Sequence, residues 1–234
     1  GILPTGYIHP KEERAIRDLL RKRSQLVRQK TSNLLSIQNL MTRNTGTSLT
    51  GNCIKTLTAE ALRDVLPTPD LALAGTSTLA VMRCVAEQIA AIAHAIKPES
   101  PAPYLSTRLT VAGVGQTLAL TIMLEAGDMH RFPTVGQWAS YCRCVNSAKL
   151  SNGTRKGQGN TKNGNTYVGW AFIEAANFAG GSTLIFSAFI SKEIEDAWIV
   201  AIKAVAHKLA RACYDVLRDQ VPFDIEKACA TQPA

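Results

Sequence analysis

Apolar residues recur every three or four positions along most of the chain, and this spacing predicts α-helices. A first long helix is expected from about residue 10 to Arg43, because Ile16, Ile37 and Met41 fall on one apolar stripe. The rest of its surface is polar and charged. This helix is therefore expected to pack against a partner along one face only.

A second long helix is predicted after a linker, which we place at 42–58 because glycines and threonines are frequent there. Pro67 and Pro69 suit the start of a helix. Its apolar residues have the spacing of a coiled-coil seam and are Leu79, Met82, Val85, Ile89, Ile92 and Ile96. The two helices are expected to pair antiparallel and form an arm.

Three prolines, Pro98, Pro101 and Pro103, end this arm and indicate a domain boundary. Further helices are predicted on both sides of a turn within 109–119, at Val135–Tyr141, from Asn165 onward, and from about Lys192 to Asp219. The fold class expected is mainly α. An antiparallel helical coiled-coil arm precedes a compact helical domain that has a helix-hairpin-helix-like turn and a glycine-rich basic loop.

Composition favours a globular protein with an anionic partner. The 234 residues are 46% hydrophobic, which is enough for a core, and the net charge is +8. The six cysteines form no CxxC pair, so Cys142 and Cys144 are expected to be reduced core residues rather than zinc ligands. The longest apolar run, Leu184 to Ile190, is too short to span a bilayer. We expect a cytoplasmic protein without a membrane partner.

The densest polar chemistry lies between Tyr141 and Asn165. No carboxylate occurs between Asp128 and Glu174, whereas positive charges are frequent there: Arg131, Arg143, Lys149, Arg155, Lys156 and Lys162. Glycines 153, 157, 159 and 164 permit left-handed backbone that points amides at an oxyanion. Asparagines 152, 160, 163 and 165 add neutral donors. The pattern favours phosphate binding, and a flexible solvated loop with Ser151 as polar filling is the alternative.

A second candidate phosphate contact is the turn Gly113-Val114-Gly115, which resembles a helix-hairpin-helix motif. Backbone amides at such a turn can hold a phosphate. A glycine-permitted turn between core helices is the equal alternative. An ATPase loop at Gly159 to Thr166 is not expected, because Asn165 stands where the lysine must be.

Three runs, YCRCV, LSNGTRKGQGNTKNGN and YVGWAFIEAANFA, resemble the C-terminal domain of transposases of the insertion-sequence family numbered one hundred and ten. AVAHKLARACYDVLRDQVPFD, at Ala204 to Asp224, is also similar, whereas 180–199 departs from the family's pattern. These transposases are bridge-RNA-guided recombinases that combine a DEDD-type, RuvC-like domain with a serine domain.

The resemblance implies that Ser151 is the nucleophile, which forms a covalent phosphoserine–DNA intermediate. It implies that 1–9 ends a RuvC-like domain lying upstream, that 10–100 forms the coiled-coil and dimerisation region, and that 101–234 is the serine domain. Magnesium is expected in the upstream domain and no cofactor in this chain. DNA, a guide RNA and further copies in a homodimer or homotetramer are the expected partners.

The alternative is an inactive remnant that binds nucleic acid and dimerises. In either case the residues predicted to contact DNA are Gly113, Val114, Gly115, Arg143, Lys149, Asn152, Gly153, Arg155, Lys156, Lys162, Asn163 and Asn165.

Overall fold

The structure of the protein, a computed structural model, describes residues 6–96, 111–145, 148–158, 163–182 and 198–225. At positions 148–150, 155, 158, 181 and 182 it describes the backbone alone. The chain divides into two compact units. One consists of Asp18–Glu99, and the other combines Gly1–Arg17 with Ser100–Ala234.

The unit Asp18–Glu99 is helical. Its helices are α1 (Lys11–Thr45, which begins in the other unit), α2 (Gly51–Thr56), α3 (Ala59–Val65) and α4 (Pro69–Ile96). Thr50 and Thr58 cap α2 and α3 by accepting hydrogen bonds from the amides of Cys53 and Ala61. The linker predicted at 42–58 is wrong in part, because α1 continues through Thr45 and those capping threonines allow short helices to form.

The core of this unit joins all four helices. Its fully enclosed side chains are Ile37 and Met41 of α1, Ile54 of α2, Leu62 of α3, and Leu79 and Met82 of α4. Gly75 admits the closest approach, since a Cβ there would lie 3.0 Å from methyl groups of Leu62 and Leu66. The two long helices are confirmed, whereas coiled-coil pairing along them stays a prediction.

By length and composition α4 is apolar enough to cross a membrane. Its Leu79 and Met82 instead lie in the core of the helical unit. Leu73 and Val81, on the same helix, are exposed.

The second unit is also mainly helical. Its elements are α5 (Gln116–Ala126), a 3₁₀ turn (Met129–Arg131), α6 (Val135–Tyr141), β1 (Ala148–Ser151), β2 (Thr154–Gln158), α7 (Thr166–Ser182) and α8 (Trp198–Asp219). The predicted α6 is confirmed at both ends. The final helix is confirmed over its C-terminal part, and 192–197 lie outside the described residues. The mainly-α fold class is therefore confirmed.

Packing in this unit centres on α7, which contacts both α5 and α8. Phe172 of α7, Leu209 of α8 and Trp138 of α6 are completely buried. The indole N–H of Trp138 donates to the Ala210 carbonyl at 2.8 Å, so the largest core side chain has no unsatisfied polar atom. Trp138 is therefore a core aromatic.

Two glycines in the turn before α5 have different constraints. Gly113 has φ of 76°, and a Cβ there would lie 2.1 Å from the Ala175 carbonyl oxygen of α7. Gly115 caps α5 with φ of −80°, and nothing lies within 4 Å of a Cβ built on it. Only Gly113 is required for close packing.

We expect Gly113→Ala to lower the free energy of unfolding by about 3 kcal/mol or more, because overpacking and left-handed strain act together. Gly115→Ala, the matched control, should cost below about 1 kcal/mol. Urea unfolding measures both. Equal effects would contradict the close packing of the turn on α7.

Burial also determines cysteine reactivity. Desolvation raises the pKa of Cys144 and of Cys213 to about 12, and the pKa of Cys142 is raised well above its usual value by the same cause. Cys53 and Cys84 are exposed.

In a Cys229→Ser background we expect two thiols to react rapidly with Ellman's reagent at mildly alkaline pH, and the remaining three to react only after unfolding. Cys142 and Cys213 are buried and Cys144 is partly buried. All three thiols stay protonated below their raised pKa, and the thiolate is the reactive form. Denatured protein supplies the full count as the control. Rapid reaction of a third thiol in the folded protein would contradict this burial.

Candidate nucleic-acid interface

Ser151 lies at the end of a β-hairpin that the sequence analysis did not predict. β1 and β2 pair antiparallel, and Ser151 faces Thr154 across a two-residue turn. The turn residues Asn152 and Gly153 have φ of 52° and 73°. Two successive left-handed residues define the type I′ turn that matches strand twist, and Asn-Gly is its preferred sequence. The hairpin thus places the serine beside the tightest part of the loop.

The serine is accessible. Ser151, Asn152 and Thr154 are all exposed. No side chain in the described parts of the chain forms a hydrogen bond with the Ser151 hydroxyl. A phosphate could reach Oγ from solvent, but activation of the hydroxyl requires a base that these residues do not supply.

The predicted cations are only partly visible around this hairpin. Lys156 is exposed on β2. The backbone of Lys149 pairs with that of Gly157, and the strand pairing is irregular between Lys149 and Leu150. Arg155 pairs with Leu150. The side chains of Lys149 and Arg155 are not described, and Lys162 lies outside the described residues.

Three of the four glycines predicted to be left-handed are so, namely Gly153, Gly157 and Gly164, with φ of 73°, 136° and 86°. Gly159 is outside the described ranges. Gly164 also fits tightly against α6, because a Cβ there would lie 2.6 Å from the Tyr141 carbonyl oxygen. This glycine brings the end of the loop back to its beginning.

Asn165 fixes that closure. Its backbone amide donates to the Tyr141 carbonyl at 2.7 Å. Its side-chain oxygen accepts from the amides of Tyr167 and Val168, which caps α7. Its side-chain nitrogen donates to Glu125 Oε2 at 2.8 Å and to the Tyr141 hydroxyl at 2.9 Å. The side chain is thus fully engaged within the protein, and its predicted DNA contact stays a prediction.

Glu125 is the residue that the sequence analysis missed. Its side chain is only 2% exposed although it lies on α5 among apolar residues. Arg17 Nε and Nη2 each lie 3.0 Å from Glu125 Oε2. A buried carboxylate requires such partners, because desolvation without them is very unfavourable. The available signal was a single charge in the apolar segment QTLALTIMLEA.

Tyr141 links the backbone of α5 to an arginine. Its hydroxyl donates to the main-chain carbonyl of Glu125 at 2.9 Å, and its ring lies 4.6 Å from the Arg131 guanidinium. Arg131 is also 4.3 Å from the rings of Tyr7 and Phe132, and its Nε donates to the Ala126 carbonyl. Aromatic faces stabilise the cation where water is excluded.

The remaining predicted contacts differ in accessibility. Val114 is buried, so only its backbone could meet a ligand, whereas Gly115 borders open space. Asn163 and Arg143 are exposed, and Arg143 has φ of 57°. Residues 97–110 are outside the described structure, so the helix-hairpin-helix interpretation stays a prediction.

On α8, Lys203 is exposed and His207 is partly buried. Burial lowers the pKa of His207, and the positive charges of Arg211 and Lys208 lower it further. His207 is therefore mainly neutral near pH 7.

Within the described ranges no three His, Cys, Asp or Glu side chains form a group that could hold a metal ion. The described residues of the hairpin around Ser151 include no carboxylate that could be a ligand for a divalent cation.

The segment that contains the turn, the carboxylate and the hairpin is similar to a known protein family. Residues 107–183 match the Transposase IS116/IS110/IS902 family. The match covers about a third of the 234 residues and supports a transposase function. It ends within 180–199, the stretch expected from sequence to depart from the family's pattern, and does not include Ala204 to Asp224. No curated protein matches the chain.

A double-mutant cycle on Arg17 and Glu125 tests the buried network. We expect Glu125→Gln alone to lower the free energy of unfolding by about 3 kcal/mol, because Arg17 loses its counter-charge. Arg17→Met with Glu125→Gln should recover at least about 1 kcal/mol relative to additivity. Asp128→Asn, at a 59% exposed carboxylate bonded to His130, is the control and should leave the free energy of unfolding nearly unchanged. Strict additivity would contradict the pairing.

Proposed function

We propose that this chain carries the serine half of a DNA transposase and that Ser151 is its nucleophile. The observation that carries the proposal is the exposed serine at a type I′ turn, in a stretch without carboxylates, inside the segment that matches a transposase family. DNA is the partner that a transposase implies. Guidance by a structured RNA and assembly as a homodimer or homotetramer come from the family resemblance and belong to the proposal.

The proposed reaction is transfer of a DNA phosphoryl group to serine. Ser151 Oγ attacks phosphorus, a new Oγ–P bond forms, and the P–O3′ bond breaks. The hydroxyl proton goes to a base, and the leaving oxygen becomes a free 3′ hydroxyl after it takes up a proton. The product is a phosphodiester between the serine and the 5′ side of the DNA. Strand exchange then reverses this step with a different 3′ hydroxyl.

Cations supply what a phosphoryl transition state needs. Negative charge grows on the equatorial oxygens, and fixed donors stabilise it. Lys156 is exposed on the hairpin, and Lys149, Arg155 and Lys162 are further candidates. The lack of carboxylates between Asp128 and Glu174 removes repulsion toward a DNA backbone.

Deprotonation of the serine is the part of the reaction that the described residues do not explain. The family resemblance implies an acidic domain that holds magnesium, and we propose that such a domain completes the site. We therefore assign positioning and charge stabilisation to this chain. On its own it should bind nucleic acid and cut poorly. A cytoplasmic location follows from the same proposal.

Trapping the covalent intermediate tests the nucleophile. In the complete transposase, with DNA, guide RNA and metal present, Ser151→Ala should abolish the protein–DNA adduct seen on a denaturing gel, because no Oγ remains to attack. DNA affinity should stay within about twofold, since a neutral side chain contributes little to backbone binding.

Thr154→Ala is the matched control, because it removes the exposed hydroxyl that faces Ser151 across the hairpin. This variant should retain the adduct. An adduct that persists in Ser151→Ala would exclude this serine. A complete transposase that forms no adduct at all would instead favour the inactive nucleic-acid-binding remnant.

A further inference from the structure

A cationic cavity lies in the unit that contains the hairpin, on a surface to which neither the sequence analysis nor the family match assigns a role. Its volume is ≈ 580 Å³, and the side chains that matter here are Tyr7, His9, Arg14, Arg17, Arg131 and Tyr141. Three of the six are arginines, and no carboxylate lines the cavity. Such a composition selects an anion.

Two of these arginines, Arg14 and Arg131, form no salt bridge within the described ranges. Arg17 is paired with Glu125. Arg14 donates from Nε to the His9 carbonyl at 3.0 Å, which leaves both of its terminal nitrogens without a partner in the described parts of the protein. A guanidinium held at one edge offers its remaining N–H groups as a fork that suits phosphate oxygens.

Arg131 contributes a second, fixed positive charge to the same cavity. The rings of Tyr7 and Tyr141 enclose its guanidinium, and its Nη2 is buried with no hydrogen-bond partner. Asp128, three residues earlier in the chain, is exposed and bonded to His130. A cation surrounded by hydrocarbon acts over a longer distance than one in water, so an anion entering the cavity would be attracted to it.

The cavity has room for more than a phosphate. Pockets that hold small organic ligands have volumes of roughly 300 to 1,000 Å³, a range that includes this one. Tyr7 is 38% exposed and packs edge-on against His9, with ring centroids 4.8 Å apart. Its hydroxyl accepts from the Asp128 amide at 3.0 Å, which fixes the ring. Fixed, partly exposed aromatic rings are the usual stacking surfaces for unpaired bases.

We propose that this cavity binds one phosphate group of a single-stranded nucleic acid, with Arg14 as the direct contact and the adjoining base against Tyr7. The inference rests on the proposed function only for the source of the phosphate. Tyr141 connects the two sites, because its ring lines the cavity and its carbonyl closes the serine loop at Asn165. A strand held here would therefore lie at the base of that loop.

Binding measurements on the full chain test this site without any strand transfer. The chain, in a Ser151→Ala background, is titrated against a fluorescent thymidine oligonucleotide by anisotropy. Arg14→Gln should weaken binding about tenfold, the loss expected for a charge-assisted hydrogen bond. Arg43→Gln is the matched control, since Arg43 is also an exposed arginine of α1 whose Nε donates to a backbone carbonyl. It should change the affinity less than about twofold.

Photo-crosslinking locates the base. An oligonucleotide with iodouracil should cross-link to the peptide that contains Tyr7, and Arg14→Gln should remove that cross-link. Equal affinities for the Arg14 and Arg43 variants, or cross-links confined to other peptides, would overturn the site while the serine proposal stands. Inorganic phosphate and thymidine monophosphate are titrated in the same way, as the alternative ligands. If either saturates the cavity and the oligonucleotide shows no tighter binding, the strand is not the source of the phosphate.

Discussion

The buried carboxylate of Glu125 is the interaction on which the second unit depends. Glu125 is the one charged residue of helix α5, so burying this helix takes a charge out of water. That charge is tolerated because Arg17 and Asn165 both bond to the same oxygen. One partner comes from the start of α1 and the other from the end of the serine loop. A single buried charge therefore holds together three segments that are far apart in sequence.

This arrangement reconciles two requirements of the proposed site. Phosphate binding favours a surface without acids, and the stretch from Asp128 to Glu174 provides it. The end of the loop nevertheless needs a fixed attachment, and the buried carboxylate of Glu125, which is paired with Arg17, supplies one by accepting from Asn165. Asn165 joins these roles, because it caps α7 and closes the loop on Tyr141 with the same side chain and amide.

The helices that depend on the periodicity of apolar residues could be predicted from the sequence. α1, α4, α6 and α7 follow from apolar stripes and prolines, whose physical basis is local. The sequence analysis did not predict the hairpin, although Asn152-Gly153 is a strong turn signal. The residues that follow that turn in β2 are polar or glycine and lack the alternation of apolar and polar positions that marks a strand. Glu125 and Asn165 could not be assigned, because their partners lie in other segments and only folding brings them together. The accessible Ser151 was identified by family resemblance and not by spacing.

The low intrinsic stability of the hairpin that carries Ser151 has thermodynamic consequences for any reaction there. Two short strands are marginally stable without a third, and none pairs with them in the described parts of the chain. The proposed nucleophile thus belongs to a hairpin whose rigidity comes mainly from the Asn152-Gly153 turn and from the closure of the loop at Asn165. A substrate that immobilises this hairpin must offset the hairpin's loss of conformational entropy. Part of the binding free energy for DNA is therefore used to align the attacking oxygen and does not appear as affinity.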